Sequence, residues 1–150
     1  MGAPLVSVVI ATWNRKDDIL ETIQSIYDQE YRPVEIVIVD NGSTDDTVSA
    51  VRAAYPDVML IALTENKGAS EGRNIGIRAA TGAYIFLLDS DASMGSDTIS
   101  SVVQKFHEHP EIGALACKVV NFYARELDRT AGWVFSERVK SRQDDEFLSF

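Results

Sequence analysis

At 150 residues, the chain has the size of one ordinary domain, enough to bury about two thirds of the surface that its unfolded form exposes. Hydrophobic residues make up 45% and charged residues 25%, proportions that are typical of globular proteins and exclude a disordered chain. The formal net charge of -9 argues against a nucleic-acid partner, because clustered Lys and Arg bind backbone phosphates and the sequence has no basic stripe.

The apolar segments are too short to cross a bilayer. The longest runs, residues 34–39 and 84–88, fall far below the ~20 residues that a span needs, and no signal peptide is recognisable. Cys117 is the single cysteine and lies in an apolar run, so we expect it to be buried and the chain to have no internal disulfide. A reducing compartment, and therefore a cytoplasmic location, is expected.

Short apolar runs alternate with helical periodicity along the chain, which predicts an α/β domain with a mostly parallel sheet. Five strands, buried on both faces, are predicted at residues 5–11, 34–39, 58–63, 84–88 and 112–120. Four helices lie between them, and two carry clear apolar stripes: Ile19, Leu20, Ile23, Ile26 and Tyr27 in the first, and Ile99, Val102, Val103 and Phe106 in the fourth. Gly82 is expected to end the third helix in a left-handed conformation. From residue 121 onward the pattern weakens, and only residues 133–135 carry a strand signal.

Polar segments come directly after four of the predicted strands: residues 12–15, 40–44, 65–68 and 89–91. Since parallel strands end at the same edge of a sheet, we expect these segments to gather at the carboxyl edge, here called the rim. Ligands of open α/β sheets bind at this edge. The rim is therefore the predicted binding site.

Asp89 and Asp91 place two carboxylates, two positions apart, at the end of a buried strand. Such a pair can hold Mg²⁺ or Mn²⁺ through oxygen ligands and leave positions open for phosphate oxygens. The alternative is an acidic turn that caps the next helix. In so acidic a chain, a bound diphosphate requires a cation that reverses the local sign of charge.

Asp40 and Arg73 are the other candidate ligand-binding residues. Asp40 can accept hydrogen bonds from a nucleobase or ribose, although a turn aspartate can also bond to local backbone groups. Arg73 can bind two diphosphate oxygens with its planar guanidinium, or it can pair with a neighbouring side chain on a solvated helix. Residues 41–44 are expected to be structural.

The ordered set of these motifs resembles glycosyltransferase family 2. The matching segments are VSVVIATWNR from Val6, EIVIVDNGSTD from Glu35, NKG from Asn66 with Arg73, Asn74 and Gly76, and LDSD from Leu88. The resemblance covers about residues 5–120 and implies the GT-A fold, a Rossmann-like, mostly parallel sheet flanked by helices, with its C-terminal part incomplete in this chain. It also implies a nucleotide-sugar donor and an inverting sugar transfer.

The resemblance carries residue roles with it. The implied nucleotide-sugar-binding residues are Ala11, Thr12, Asn14, Asp40, Arg73, Asp89 and Ser90, and the implied ligands of Mn²⁺ or Mg²⁺ are Asp89 and Asp91. Many family members have a second aspartate where this chain has Asn41.

The catalytic residue is not assigned, because the acceptor-activating base of the family lies well downstream of the metal motif. Asp144, Asp145 and Glu146 are candidates, but they match no motif and come after no predicted strand. We expect residues 1–120 to form the donor-binding domain and residues 121–150 to begin an acceptor-side region. The chain is then the donor-binding portion of a longer enzyme, with little transferase activity alone.

The expected partners are a nucleotide-diphosphate sugar and a saccharide or lipid-linked acceptor. Peripheral contact with the inner face of the membrane, through parts of the protein outside this chain, is also expected. Two other functions stay open: a noncatalytic module that binds nucleotide sugars, and a phosphohydrolase of the haloacid dehalogenase type, whose aspartate motif residues 89–93 imitate. That superfamily places the motif after its first core strand, whereas three predicted strands precede it here.

Overall fold

The computed structural model describes residues 2–119, in which strands and helices alternate strictly. They are β1 (Val6–Thr12), α1 (Lys16–Tyr27), β2 (Val34–Asp40), α2 (Thr47–Ala54), β3 (Met59–Ala62), α3 (Ala69–Ala79), β4 (Tyr84–Asp89) and α4 (Thr98–Glu108). The chain up to His107 forms one compact unit, and residues from Glu108 onward belong to a second. The predicted α/β class is confirmed.

The four strands form one parallel sheet in the order β3-β2-β1-β4. Thr12 pairs in register with Asp40, Ala11 with Asp89, and Asp40 with Ala62. All four strands therefore end at the same edge, as predicted for the rim.

The core lies mainly between the sheet and α1, whose side chains Ile19, Ile23 and Ile26 are at most 1% exposed. Burying each such side chain stabilises the fold by about 1.5–3 kcal/mol. On the opposite face α3 packs against β1 and β2. A Cβ added at Gly76 would collide with Val9 there, so glycine permits this close approach.

The prediction that the strands are buried on both faces is wrong for both edge strands, for β3, where Met59 is 43% exposed, and for β4. Ile85 and Leu87 are 43% and 49% exposed on one face, while Leu88 is buried on the other. The reason is position: among residues 2–119, β4 is an edge strand, paired only with β1. An apolar run indicates that a strand is suited to burial. It does not indicate which other elements cover that strand.

A fifth strand over residues 112–120 is not formed within its described part, residues 112–119. An apolar run becomes a strand only where another strand pairs with it, and no strand within residues 2–119 pairs with this segment. Cys117, which belongs to this segment, is accordingly exposed and not buried as predicted. Residues 133–135 lie outside the described part of the chain.

Gly82 does not adopt the left-handed conformation that the sequence suggested, because its φ is not positive. Glycine is required at position 82 for another reason: an added Cβ would lie 2.7 Å from the Ser7 nitrogen and 2.8 Å from the Leu5 carbonyl oxygen.

The predicted domain boundary at residue 120 stays a prediction. Within residues 2–119, no helix combines the length and the apolarity that crossing a membrane requires.

Candidate functional site at the rim

Asn14 joins the first two rim loops. Its backbone N–H donates to Ser43 Oγ at 2.8 Å, and its Oδ1 accepts from the Thr44 backbone N–H at 2.8 Å. The residue has a φ of 51°, a left-handed conformation that asparagine tolerates better than most residues. The predicted nucleotide-binding Asn14 therefore holds the shape of the loops that flank Thr12 and Asp40.

Asn41 joins the second and third rim loops. Its Nδ2 donates to the Gly68 carbonyl oxygen at 2.9 Å, while its Oδ1 accepts from the Lys67 backbone N–H at 3.0 Å. The residue is only 3% exposed. These contacts agree with the prediction that residues 41–44 are structural.

Thr12 and Asp40 end β1 and β2 as register partners, and both are almost fully buried, at 3% and 1% exposed. Asp40 Oδ2 accepts from the Ser43 backbone N–H at 2.8 Å. In contrast, Asp40 Oδ1 and Thr12 Oγ1 are buried without a hydrogen-bond partner in the described part of the chain. An unsatisfied buried polar atom costs about 1–3 kcal/mol, so a hydrogen-bonding group from outside residues 2–119 would be stabilising at this pair.

Asp89 and Asp91 each face an arginine. Arg73 Nη2 lies 2.5 Å from Asp89 Oδ1, and Arg15 Nη2 lies 3.9 Å from Asp91 Oδ2. Arg15 also donates to Asp18 at 2.9 Å, and this hydrogen bond, with the charges of Asp18 and Asp91, raises the pKa of Arg15. The guanidinium groups thus balance the two carboxylates of the predicted metal motif.

The donor set at Asp89 and Asp91 fits a hard divalent cation, because both carboxylates stand at the rim with side chains 65% and 54% exposed. Among residues 2–119, no group of three or more His, Cys, Asp or Glu side chains is placed to hold a metal. Two carboxylates leave most of a six-ligand shell to other oxygens. A cation here would therefore need water or phosphate oxygens to complete its coordination.

The remaining predicted residues support these groups. Ala11 is half-buried under α3, where its Cβ would lie 3.2 Å from a Cβ added at Gly72. Ser90 offers its carbonyl oxygen to Thr22 Oγ1 at 3.0 Å. The pairing of Arg15 and the contact from Thr22 were not predicted. The sequence does contain a signal that Thr22 has a special role, because Thr22 is a polar residue within the apolar stripe of α1.

A sequence profile described as "Glycosyl transferase family 2" matches residues 7–148, nearly the whole chain. The chain belongs to glycosyl transferase family 2. The resemblance drawn from the motifs is thereby confirmed. Since the phosphohydrolase alternative belongs to a different superfamily, family 2 membership leaves it without support.

Two relatives of known description are similar in sequence to this family 2 chain. The succinoglycan biosynthesis protein ExoO of Rhizobium meliloti is 38% identical over 141 residues, which are 93% of this chain and 39% of ExoO. The glucosyltransferase WfaP of Escherichia coli, named for UDP-Glc and a GlcNAc-diphosphoundecaprenol, is 40% identical over 101 residues, 66% of this chain and 40% of WfaP. The chain spans about two fifths of the length of these relatives.

Solved structures confirm the GT-A fold for this family 2 chain. The mannosyltransferase PcManGT from Pyrobaculum calidifontis, in complex with GDP-Man and Mn²⁺, superposes with a TM-score of 0.70 at 36% identity, covering 79% of this chain and 36% of PcManGT. TarS of S. aureus, residues 1–349, gives a TM-score of 0.65 at 27% identity, covering 70% of this chain and 33% of TarS.

Proposed function

We propose that the rim binds the nucleotide-diphosphate sugar donor of a glycosyltransferase. The observation that carries the proposal is the buried, unsatisfied pair Thr12 Oγ1 and Asp40 Oδ1. A hydroxyl can donate or accept and a carboxylate oxygen accepts, and a nucleobase edge or a ribose offers groups that pair with both. Structures similar to this chain are described with UDP-GlcNAc and with GDP-Man, which supports a nucleotide-sugar ligand.

The diphosphate is proposed to lie over Asp89 and Asp91, which hold Mn²⁺ or Mg²⁺. The exposed carboxylates supply oxygen ligands, and phosphate oxygens complete the shell that two protein ligands leave open. When bound, the cation supplies electrostatic stabilisation of the departing diphosphate. Mn²⁺ in the similar PcManGT structure supports this proposal.

Arg73 and Arg15 have a second proposed role, in binding the diphosphate. Arg73 pairs with Asp89 at 2.5 Å, and Arg15 lies 3.9 Å from Asp91. With the carboxylates engaged by a cation, the guanidinium groups would be available to the diphosphate, and the planar Arg73 could bind two oxygens at once. Charge stays nearly balanced before and after binding, which overcomes the repulsion that the acidic chain exerts on a polyanion.

The whole protein is proposed to transfer the sugar to an acceptor hydroxyl with inversion at the anomeric carbon. A carboxylate on the opposite side of the sugar would deprotonate the acceptor. The candidates Asp144, Asp145 and Glu146 lie outside the described residues. WfaP is named for a diphosphoundecaprenol-linked acceptor, which supports a lipid-linked saccharide as the acceptor here. Contact with the inner face of the membrane is proposed with it.

A noncatalytic nucleotide-sugar module would use the same rim, so the test separates binding from turnover. We expect the chain to bind UDP or GDP in calorimetric titrations with Mn²⁺ present, with little transfer to a saccharide acceptor. The full-length protein should show transfer with the same donor nucleotide. Absence of nucleotide binding by the chain would overturn the proposal, and binding without transfer by the full-length protein would favour the noncatalytic module.

A further inference from the structure

The loop between β4 and α4, which contains the proposed metal ligand Asp91, is hydrogen-bonded to one face of α1. Thr22 Oγ1 donates to the carbonyl oxygen of Ser90 at 3.0 Å, although the two residues are 68 positions apart. Thr22 is 1% exposed, so water does not compete for this hydrogen bond. The Ser90 carbonyl belongs to the peptide unit that leads directly into Asp91.

Two more polar residues continue this contact: Ser25 of α1 and Gln29, which lies just after the end of α1. Ser25 Oγ accepts from the Met94 backbone N–H at 3.3 Å. Gln29 Nε2 donates to the Gly95 carbonyl oxygen at 2.7 Å, and Gln29 Oε1 accepts from the Ile99 backbone N–H at 3.1 Å, which also caps the start of α4. Thr22 and Ser25 are three residues apart and therefore share one face of α1, and Gln29 follows two residues after the helix ends.

The helix that carries Thr22 and Ser25 is itself firmly held, because Ile23 and Ile26 of α1 are 0% and 1% exposed in the core. The loop between β4 and α4 begins with a turn, in which the Ala92 backbone N–H donates to the Asp89 carbonyl oxygen at 3.2 Å. The direction of Asp91 is thus set jointly by β4, by this turn and by the hydroxyl of Thr22.

We propose that Thr22 is a positioning residue for metal and donor binding, acting through the Ser90–Asp91 peptide. The inference rests on the proposed function of Asp89 and Asp91 as metal ligands. Cation–oxygen bonds of about 2.0–2.1 Å for Mg²⁺ tolerate little displacement, so a rotated Ser90 carbonyl carries Asp91 out of reach. Residues that orient metal ligands in this way typically change metal affinity by about 10–100-fold when removed.

Three variants separate positioning from simple stabilisation. Thr22→Val keeps the shape and removes the hydroxyl, while Thr22→Ser keeps the hydroxyl. Ser7→Ala is the matched control, since it also deletes a buried hydroxyl, one that donates to Glu35 near the opposite edge of the sheet. It should lower stability without any effect at the rim.

The measurement is Mn²⁺ binding to the 150-residue chain in the presence of UDP or GDP, monitored by the electron paramagnetic resonance signal of free Mn²⁺ and by calorimetry. We expect Thr22→Val to weaken Mn²⁺ binding about 10-fold or more. Thr22→Ser and Ser7→Ala should bind Mn²⁺ as the unaltered chain does. Thermal unfolding of each variant is measured in parallel, so that lost stability and lost affinity are read separately.

Equal Mn²⁺ affinity in Thr22→Val and the unaltered chain would overturn the inference and leave the proposed function intact. Failure of the unaltered chain to bind Mn²⁺ with UDP or GDP would overturn both. If Thr22→Val does not fold, Ser25→Ala decides the matter, because Ser25 supports the same loop at Met94. The inference then requires weaker Mn²⁺ binding in Ser25→Ala, and unchanged binding contradicts it.

Discussion

Arg73 Nη2 lies 2.5 Å from Asp89 Oδ1, so the carboxylate that is proposed to bind the metal is occupied by the arginine that is proposed to bind the diphosphate. Arg15 lies farther from Asp91, at 3.9 Å, and donates its hydrogen bond to Asp18 at 2.9 Å. A metal bound by Asp89 would therefore release Arg73, and a diphosphate bound by Arg73 would release Asp89. By thermodynamic linkage, each should raise the affinity of the rim for the other by the same factor.

Replacing Arg73 tests this exchange of partners. Arg73→Ala should weaken binding of UDP or GDP in the presence of Mn²⁺ by about 10-fold or more, because a charge-assisted, bidentate contact is lost. Arg73→Lys should have an affinity between those of Arg73→Ala and the unaltered chain, since lysine keeps the charge without the planar geometry. Calorimetric titration gives both affinities.

The matched control for Arg73 is Arg78→Ala. Arg78 belongs to the same helix and pairs with Glu71 at 2.7 Å, with a side chain that is 62% exposed. The Arg78→Ala variant should bind nucleotide with the affinity of the unaltered chain. Equal losses in the two variants would show that charge on α3, and not the position of Arg73, determines affinity.

Thr12→Val should separate binding from stability. Because the buried Thr12 hydroxyl has no partner in the described part of the chain, its removal should leave the unfolding free energy unchanged or raise it by about 1 kcal/mol. Nucleotide affinity should fall by about 5–10-fold, as expected for one lost hydrogen bond. Chemical denaturation and calorimetry measure the two effects.

Thr47→Val is the control for this experiment. Thr47 is 0% exposed, but its hydroxyl donates to Asp45 Oδ1 at 2.5 Å, so its loss should destabilise the fold by about 1–3 kcal/mol. A Thr12→Val variant that loses as much stability as Thr47→Val would mean that the Thr12 hydroxyl is satisfied within the protein.

Asn41→Asp should destabilise the rim even though many family 2 members have an aspartate there. Asn41 acts as donor to the Gly68 carbonyl oxygen and as acceptor from the Lys67 N–H, and a carboxylate cannot donate. A cost of about 1–3 kcal/mol is expected for the buried site. Asn66→Asp is the control, because Asn66 uses its Oδ1 only to accept from the Gly68 N–H. Equal stability of the two variants in urea denaturation would contradict the assigned contacts.

Glu35 should give the fold a pH dependence away from the rim. Burial raises the pKa of Glu35, but hydrogen bonds from Ser7, Thr81 and Gly82 outweigh it and hold the pKa below its ordinary value of 4.5. A depressed folded-state pKa contributes stability above the unfolded-state value, and this contribution is lost as the pH falls below 4.5 through the folded pKa. Glu35→Gln should therefore cost stability at pH 7 and lose most of that deficit in acid. A deficit that is independent of pH in denaturation experiments would contradict this origin.

Local sequence pattern was sufficient to predict the strands and the edge at which they end. The strand ends carrying Asp40 and Asp89 lie where the periodicity placed them, because parallel strands bring such ends to one edge. Long-range contacts were not predictable: nothing in the spacing of Arg15 and Asp91 indicates that they face each other. The failure over residues 112–119 has the same cause, since strand formation depends on a partner that the segment's own apolar residues do not specify.

The most direct test of the rim is the metal dependence of nucleotide binding in the unaltered chain and in Asp91→Ala. Calorimetric titration with UDP, GDP and dTDP, each with and without Mn²⁺, measures it. A cation held between the carboxylates and the diphosphate predicts that the unaltered chain binds one of these nucleotides only with Mn²⁺, and that Asp91→Ala abolishes the dependence. Nucleotide binding of equal strength with and without Mn²⁺ in the unaltered chain would contradict it.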